Sequence, residues 1–174
     1  MTSTIAESKY EDVYKEADEE LTIATDVSVS GGNFESLGTA SVGTVILSDT
    51  IDETTVALTA SPDFTEDGTT LTYTATLGNE VRSGDDPVVV TFTDLNGEEK
   101  TITITSGSTG TVTSTIAESK YEDVYKEADE ELTIATNVSV SGGDDFESLG
   151  TASVGTVSLS DTIDETTVAL TASP

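Results

Sequence analysis

The chain has 174 residues, with 34 Asp and Glu against six Lys and Arg, a net charge of −28, and neither Cys nor His. A surface this acidic repels phosphate and anionic lipid, so no nucleic-acid partner and no membrane contact are expected. Without thiol or imidazole there is no disulfide framework and no serine–histidine or cysteine–histidine nucleophile pair, and the chain is not expected to be an enzyme.

In chain order the first feature is a repeat. Residues 2–62 return as residues 113–174, offset by about 111 positions. The copies differ at Asp26 against Asn137, Ile46 against Ser158, and Asn33 against the pair Asp144-Asp145. Solenoid units run roughly 20–50 residues, whereas immunoglobulin-like domains hold about 100. Residues 1–47 are therefore expected to be the C-terminal half of one repeat, 48–159 a complete repeat, and 160–174 a linker and the first strand of the next. Met1 runs straight into mid-repeat sequence and reads as a start added to a fragment, and Met1-Thr2-Ser3 opens no signal peptide.

Strand patterns follow. Val56, Leu58 and Ala60 alternate with Thr55, Ala57 and Thr59, the period of a half-buried strand. Leu71, Tyr73, Ala75 and Leu77 form a second inward row, and Val88, Val90 and Phe92 a third. Asp94-Leu95-Asn96-Gly97 carries an Asn-Gly hairpin signal leading into Ile102 and Ile104. Val112 and Ile116 mark a fifth strand, Leu132, Ile134, Val138 and Val140 a sixth, and Val154, Val157 and Leu159 a seventh. The abundant threonines suit a pleated surface. The expected fold is an all-β, immunoglobulin-like antiparallel sandwich. The acidic stretch 116–131 fits a short helix or a crossing loop, with Tyr121 or Tyr125 as a tyrosine-corner residue.

Low apolar content, 34% of residues, together with high charge is also a mark of disorder, but strict alternation between the charge clusters argues against it. Crowded carboxylates repel one another and weaken the compact state, so a divalent cation is expected to offset them. The competing reading is a solvated acidic surface of the halophile kind. Up-and-down strands place the loops 78–87, 106–110 and 142–148 at the pole near the linker 48–53, and the turns 63–68, 94–99 and 118–131 at the opposite pole. Acids gather at both: Asp85, Asp86, Asp144, Asp145 and Glu147 above, Glu66, Asp67, Glu122 and Asp123 below. The linker Ser48-Asp49-Thr50-Ile51-Asp52-Glu53 recurs as Ser160-Asp161-Thr162-Ile163-Asp164-Glu165. Calcium (Ca2+) takes roughly six to eight oxygens. Asp49 and Asp52, facing Glu11 and Asp12 from one domain and Asp85 or Asp144 from the next, are the expected ligands. Their copies Asp161, Asp164, Glu122 and Asp123 form the second set. The Gly31-Gly32 and Gly142-Gly143 doublets read as tight turns, since no phosphate-loop pattern or helix follows them.

Four runs resemble one known repeat type: the linker 48–56, Leu71-Thr72-Tyr73-Thr74-Ala75-Thr76-Leu77, Glu122-Asp123-Val124-Tyr125 and Gly31-Gly32-Asn33-Phe34-Glu35. It is the extender repeat of the very large RTX-type adhesins of Gram-negative bacteria, which include biofilm and ice-binding adhesins. The resemblance covers essentially the whole chain. It implies immunoglobulin-like sandwiches in tandem, exported by type I secretion and tethered at the cell surface, with neighbouring repeats of the same polypeptide as partners. It also implies calcium at the junctions, on the residues matching Asp49, Asp52, Asp161, Asp164, Asp12 and Asp123. The alternative function is an adhesive module that itself binds a glycan or a protein. Because the two ends carry partial domains, end-to-end or strand-swapped contacts between chains are expected as well.

Overall fold

The computed structural model of the protein describes residues 2–6 and 9–173; Met1, with the reading of it as an added start, lies outside the described residues, as do Glu7, Ser8 and Pro174. The described chain is all-β. Its strands are β1 (Glu19–Thr22), β2 (Thr44–Leu47), β3 (Glu53–Ser61), β4 (Phe64–Thr65), β5 (Gly68–Val81), β6 (Val88–Thr93), β7 (Glu99–Ile104), β8 (Gly107–Ala117), β9 (Glu130–Thr133), β10 (Thr136–Gly142), β11 (Ser148–Val154) and β12 (Thr156–Ser160). A 3-10 turn spans Glu118–Lys120, so the acidic stretch after β8 is a short turn followed by irregular chain.

The alternating rows become the core. Val56 and Leu58 of β3, the Leu71 to Leu77 row of β5, the Val88 to Phe92 row of β6, and Ile102 and Ile104 of β7 are all buried. One layer is the sheet β11-β3-β5-β8; the sheets β10-β6-β7 and β4-β12-β9 complete the sandwich. Tyr73 of β5 meets Phe92 of β6 in the core with ring centroids 5.0 Å apart. The Tyr73 hydroxyl donates to the Ile134 carbonyl at 3.2 Å and accepts from the Leu95 amide at 3.3 Å, so this buried polar group is satisfied. The Asn-Gly hairpin forms between β6 and β7. Gly97 takes φ +79° there, and the buried Asp94 carboxylate accepts the amides of Asn96 and Glu98 at 2.9 Å each.

Three features differ from the pattern reading. The sixth strand breaks at Ile134 and Ala135: β9 pairs with β12, while β10 pairs with β6 in another sheet. The seventh breaks at Gly155, whose amide donates to the Leu58 carbonyl at 2.9 Å, and Val154 is left exposed. The pairing is also mixed, because β11 runs parallel to β3 and β12 parallel to β4. Parallel neighbours need a long return path, and nearly the whole sandwich separates β3 from β11. Of the two corner candidates, Tyr121 packs half-buried on Phe64 at 5.9 Å, and Tyr125 is 75% exposed.

The copied ends fold only as far as their partners allow. β1 and β2 pair Glu19 with Leu47 through Thr22 with Thr44, the register that their copies β9 and β12 use from Glu130 with Leu159 to Thr133 with Thr156. The copies of β10 and β11, by contrast, are irregular in residues 25–43, because no counterpart of β6 or β3 lies beside them. Residues 165–173 copy β3 yet form no strand, with Leu170 99% exposed. A ladder needs a second strand.

Candidate functional site

Both linkers collect carboxylates, and they do so with the same contacts. At the upper pole, entering β3, the Glu16 amide donates to Asp49 Oδ2 at 3.2 Å, and the Thr50 hydroxyl donates to Glu11 Oε1 at 2.8 Å. At the lower pole, leaving β12, the Glu127 amide donates to Asp161 Oδ2 at 3.2 Å, and the Thr162 hydroxyl donates to Glu122 Oε2 at 3.3 Å. Asp12 and Asp123 each turn back to accept the amide two residues on, that of Tyr14 at 2.8 Å and of Tyr125 at 2.7 Å. Thus the short polar side chains of the linker and of the acidic stretch fix the local backbone themselves, independently of which repeat they belong to.

Each pole then adds an acid of the folded body. Above, Glu147 of the loop between β10 and β11 accepts the Asp52 amide, and carboxylate oxygens of Glu11, Asp52 and Glu147 lie within 4.8 Å of one another. The other Glu147 oxygen is buried without a hydrogen-bond partner. The Asp52 amide pulls the Glu147 carboxyl down, but desolvation and the neighbouring Asp49 and Asp52 carboxylates outweigh it and hold the group above its ordinary range. Below, Glu66, which follows β4, is only 3% exposed and accepts the Thr162 amide at 3.4 Å. Desolvation pushes its carboxyl up against that hydrogen bond, and Asp161, Asp123 and Glu127 add to the push. Glu122 is pushed up to about 7, first by the neighbouring Asp164 carboxyl and then by desolvation, and its second oxygen is also buried and unpartnered.

The expected ligands are therefore distributed unevenly. Above, Glu11 and Asp52 converge with Glu147, and Asp49 neighbours Glu147; below, Asp164 neighbours Glu122, while Asp161 and Asp123 neighbour Glu66. Asp85 instead holds the Arg82 guanidinium at 2.8 Å, and Asp144 is exposed with its amide on the Asp86 carboxylate at 3.3 Å. Glu147 and Glu66 were visible in sequence as pole acids, but nothing there singled them out from their neighbours. The chemistry available is that of a hard oxygen-donor site: carboxylates in excess, little positive charge, and orphaned carboxylate oxygens where a cation would satisfy them.

Residues 52–162, more than half of the chain, match the LapA domain. The chain belongs to the LapA-domain family. LapA-type proteins are large cell-surface adhesins, non-enzymatic in general, and this places an adhesin-related role at the cell surface. No curated protein and no solved structure matches the chain. Among the described residues no helix is long and apolar enough to cross a membrane.

Proposed function

We propose that this LapA-domain chain is a stalk segment: an extender that projects a distal adhesive domain from the cell, with calcium at the junctions between its tandem repeats holding them in line. The observation that carries the reading is the duplication of the junction. Two linkers more than a hundred residues apart draw the same acids together through the same hydrogen bonds, one at each pole of the sandwich. The two ends show complementary halves of one arrangement. Below, the preceding body brings Glu66; above, the following body brings Glu147. A full junction would then offer Glu66, Glu122, Asp161, Asp164 and the next Glu147, with Asp123 alongside, which is enough oxygen for a calcium shell of about six to eight. Metal held across a linker would couple binding to stiffness. Export by type I secretion and RTX-type ancestry belong to the same reading and rest on the resemblance of the linker and strand motifs.

The adhesive-module alternative calls for exposed aromatics, and Phe34 and Tyr125 are each 75% exposed. Their copies Phe146 and Tyr14 are packed against the body, however, so this exposure reflects a missing neighbour rather than a ligand surface. Adding EDTA while following melting temperature and the radius of gyration by X-ray scattering tests the stalk reading. Both are expected to change, with lower melting and a less extended chain. No change in either removes calcium from the proposal.

A further inference from the structure

The junction contains a second set of contacts that needs no cation. We propose that Val13-Tyr14 and its copy Val124-Tyr125 are the plug of a repeat-to-repeat latch, and that the socket is the upper pole of the next repeat, built from Glu80, Arg82 and the Asp145-Phe146-Glu147 loop. The proposal rests on the tandem-stalk reading but not on its calcium.

In the chain, the plug that precedes the complete repeat is seated. Tyr14 forms an antiparallel bridge with Phe146: the Lys15 amide donates to the Asp145 carbonyl at 2.9 Å and the Glu147 amide to the Val13 carbonyl at 3.2 Å. The Tyr14 ring stacks on Phe146 with centroids 5.3 Å apart and planes inclined by 23°. Its hydroxyl donates to the Glu80 carbonyl at 2.7 Å, and the Arg82 guanidinium lies over the ring, 3.5 Å from its centroid. A ring held by a stack, a cation and a hydroxyl bond at once has little freedom left. Arg82 is the only arginine of the chain, and Asp85 orients it at 2.8 Å. Gly142 and Gly143 turn the chain into the socket loop at φ +73° and +66°, and a Cβ on Gly143 would strike Leu149 and Val88 at 2.8 Å.

The second plug has the same sequence, and among the described residues no socket meets it. Val124 and Tyr125 are 60% and 75% exposed, and they border a cleft of about 250 Å³ against linker residues 161–164. The first plug shows what fits there: the upper pole of another copy of this repeat. The socket varies between copies, because Asn33 stands where the complete repeat has Asp144-Asp145, and Asp145 supplies the carbonyl that Lys15 uses.

Amide exchange followed by NMR on the whole chain separates the two plugs, which identical peptides in mass spectrometry cannot do. The Lys15 amide is expected to exchange on the order of tenfold or more slowly than the Lys126 amide, with and without EDTA. Tyr14→Ala and Arg82→Gln are each expected to speed exchange at Lys15 and Glu147 while core amides such as that of Ile102 stay protected. Equal exchange at Lys15 and Lys126 overturns the latch. Protection of Lys15 that vanishes in EDTA also overturns it, making the tyrosine a dependant of the metal. Protection that survives EDTA, in a chain whose melting EDTA does not alter, keeps the latch and removes the calcium.

Discussion

Calcium and protons should compete at the lower junction, and the structure sets the size of the effect. The Glu122 carboxyl is pushed up from 4.5 to about 7, chiefly by the neighbouring Asp164 carboxyl. Its proton is bound more tightly in the folded chain than in the unfolded one. Without metal, the stability this contributes is complete below about pH 4.5 and is lost as pH rises through about 7. A cation that needs the carboxylate ionised must expel that proton. Apparent affinity then falls by the factor 1 + 10 raised to (pKa − pH), about elevenfold at pH 6 and about 1.1-fold at pH 8, a difference of roughly ten. Glu147 lies above its ordinary range too, so the upper junction shifts the same way. Calorimetric calcium titration of the whole chain at the two pH values measures the ratio, and repeating it in buffers of different ionisation enthalpy counts the protons released. Glu122→Gln should weaken binding and flatten much of its pH dependence. Equal affinities at pH 6 and pH 8, or an undiminished ratio in Glu122→Gln, would refute the reasoning.

Two other outcomes follow from packing and pairing. Tyr73→Phe keeps the ring against Phe92 but strands the Ile134 carbonyl and the Leu95 amide. The expected cost is about 1–3 kcal/mol in urea unfolding with an unchanged m-value, and a neutral result would mean that water replaces the hydroxyl. Residues 165–170 copy the part of β3 that pairs parallel with β11, and residues 36–42 copy β11 and have no such partner. Concentration-dependent head-to-tail association is therefore expected in light scattering, and Val168→Pro should abolish it; a strict monomer at high concentration contradicts the strand exchange.

Much of the fold was legible because burial and alternation are local. The rows of β3, β5, β6 and β7 point inward residue for residue as the apolar pattern requires, and Asn96-Gly97 turns the chain where its dihedrals demand. The breaks at Ile134-Ala135 and Gly155 were not legible. Apolar alternation runs through both, and what divides them is the identity of the partner strand, a long-range fact. One local trace stands near the first break: Asp26 and Asn137, one of the places where the copies differ, both hold positive φ, a conformation that Asp and Asn tolerate better than most residues. The linker acids were legible because the motif repeats. Glu147 and Glu66 were hidden among other pole acids, since only the topology of the body decides which of them faces the linker.

The division of labour at the junction follows from what each component can resist. Carboxylates alone cannot stiffen it, because their mutual repulsion opens the joint; that repulsion adds to the Asp164 contact and desolvation that raise Glu122 and to the desolvation that raises Glu147. A cation reverses the sign of the interaction but acts through flexible side chains and depends on the medium. The tyrosine plug is the opposite kind of contact: directional and anchored by two backbone hydrogen bonds, with charge entering through one guanidinium and through its neighbours Asp12 and Glu147. If the plug sets where one repeat meets the next, the metal need only hold the acidic linker against that seat. Loss of calcium should then loosen the angle between repeats before it separates them. Scattering in EDTA would show this as a shorter maximum dimension in the wild type, with a further broadening of the distance distribution only when Tyr14→Ala removes the seat as well.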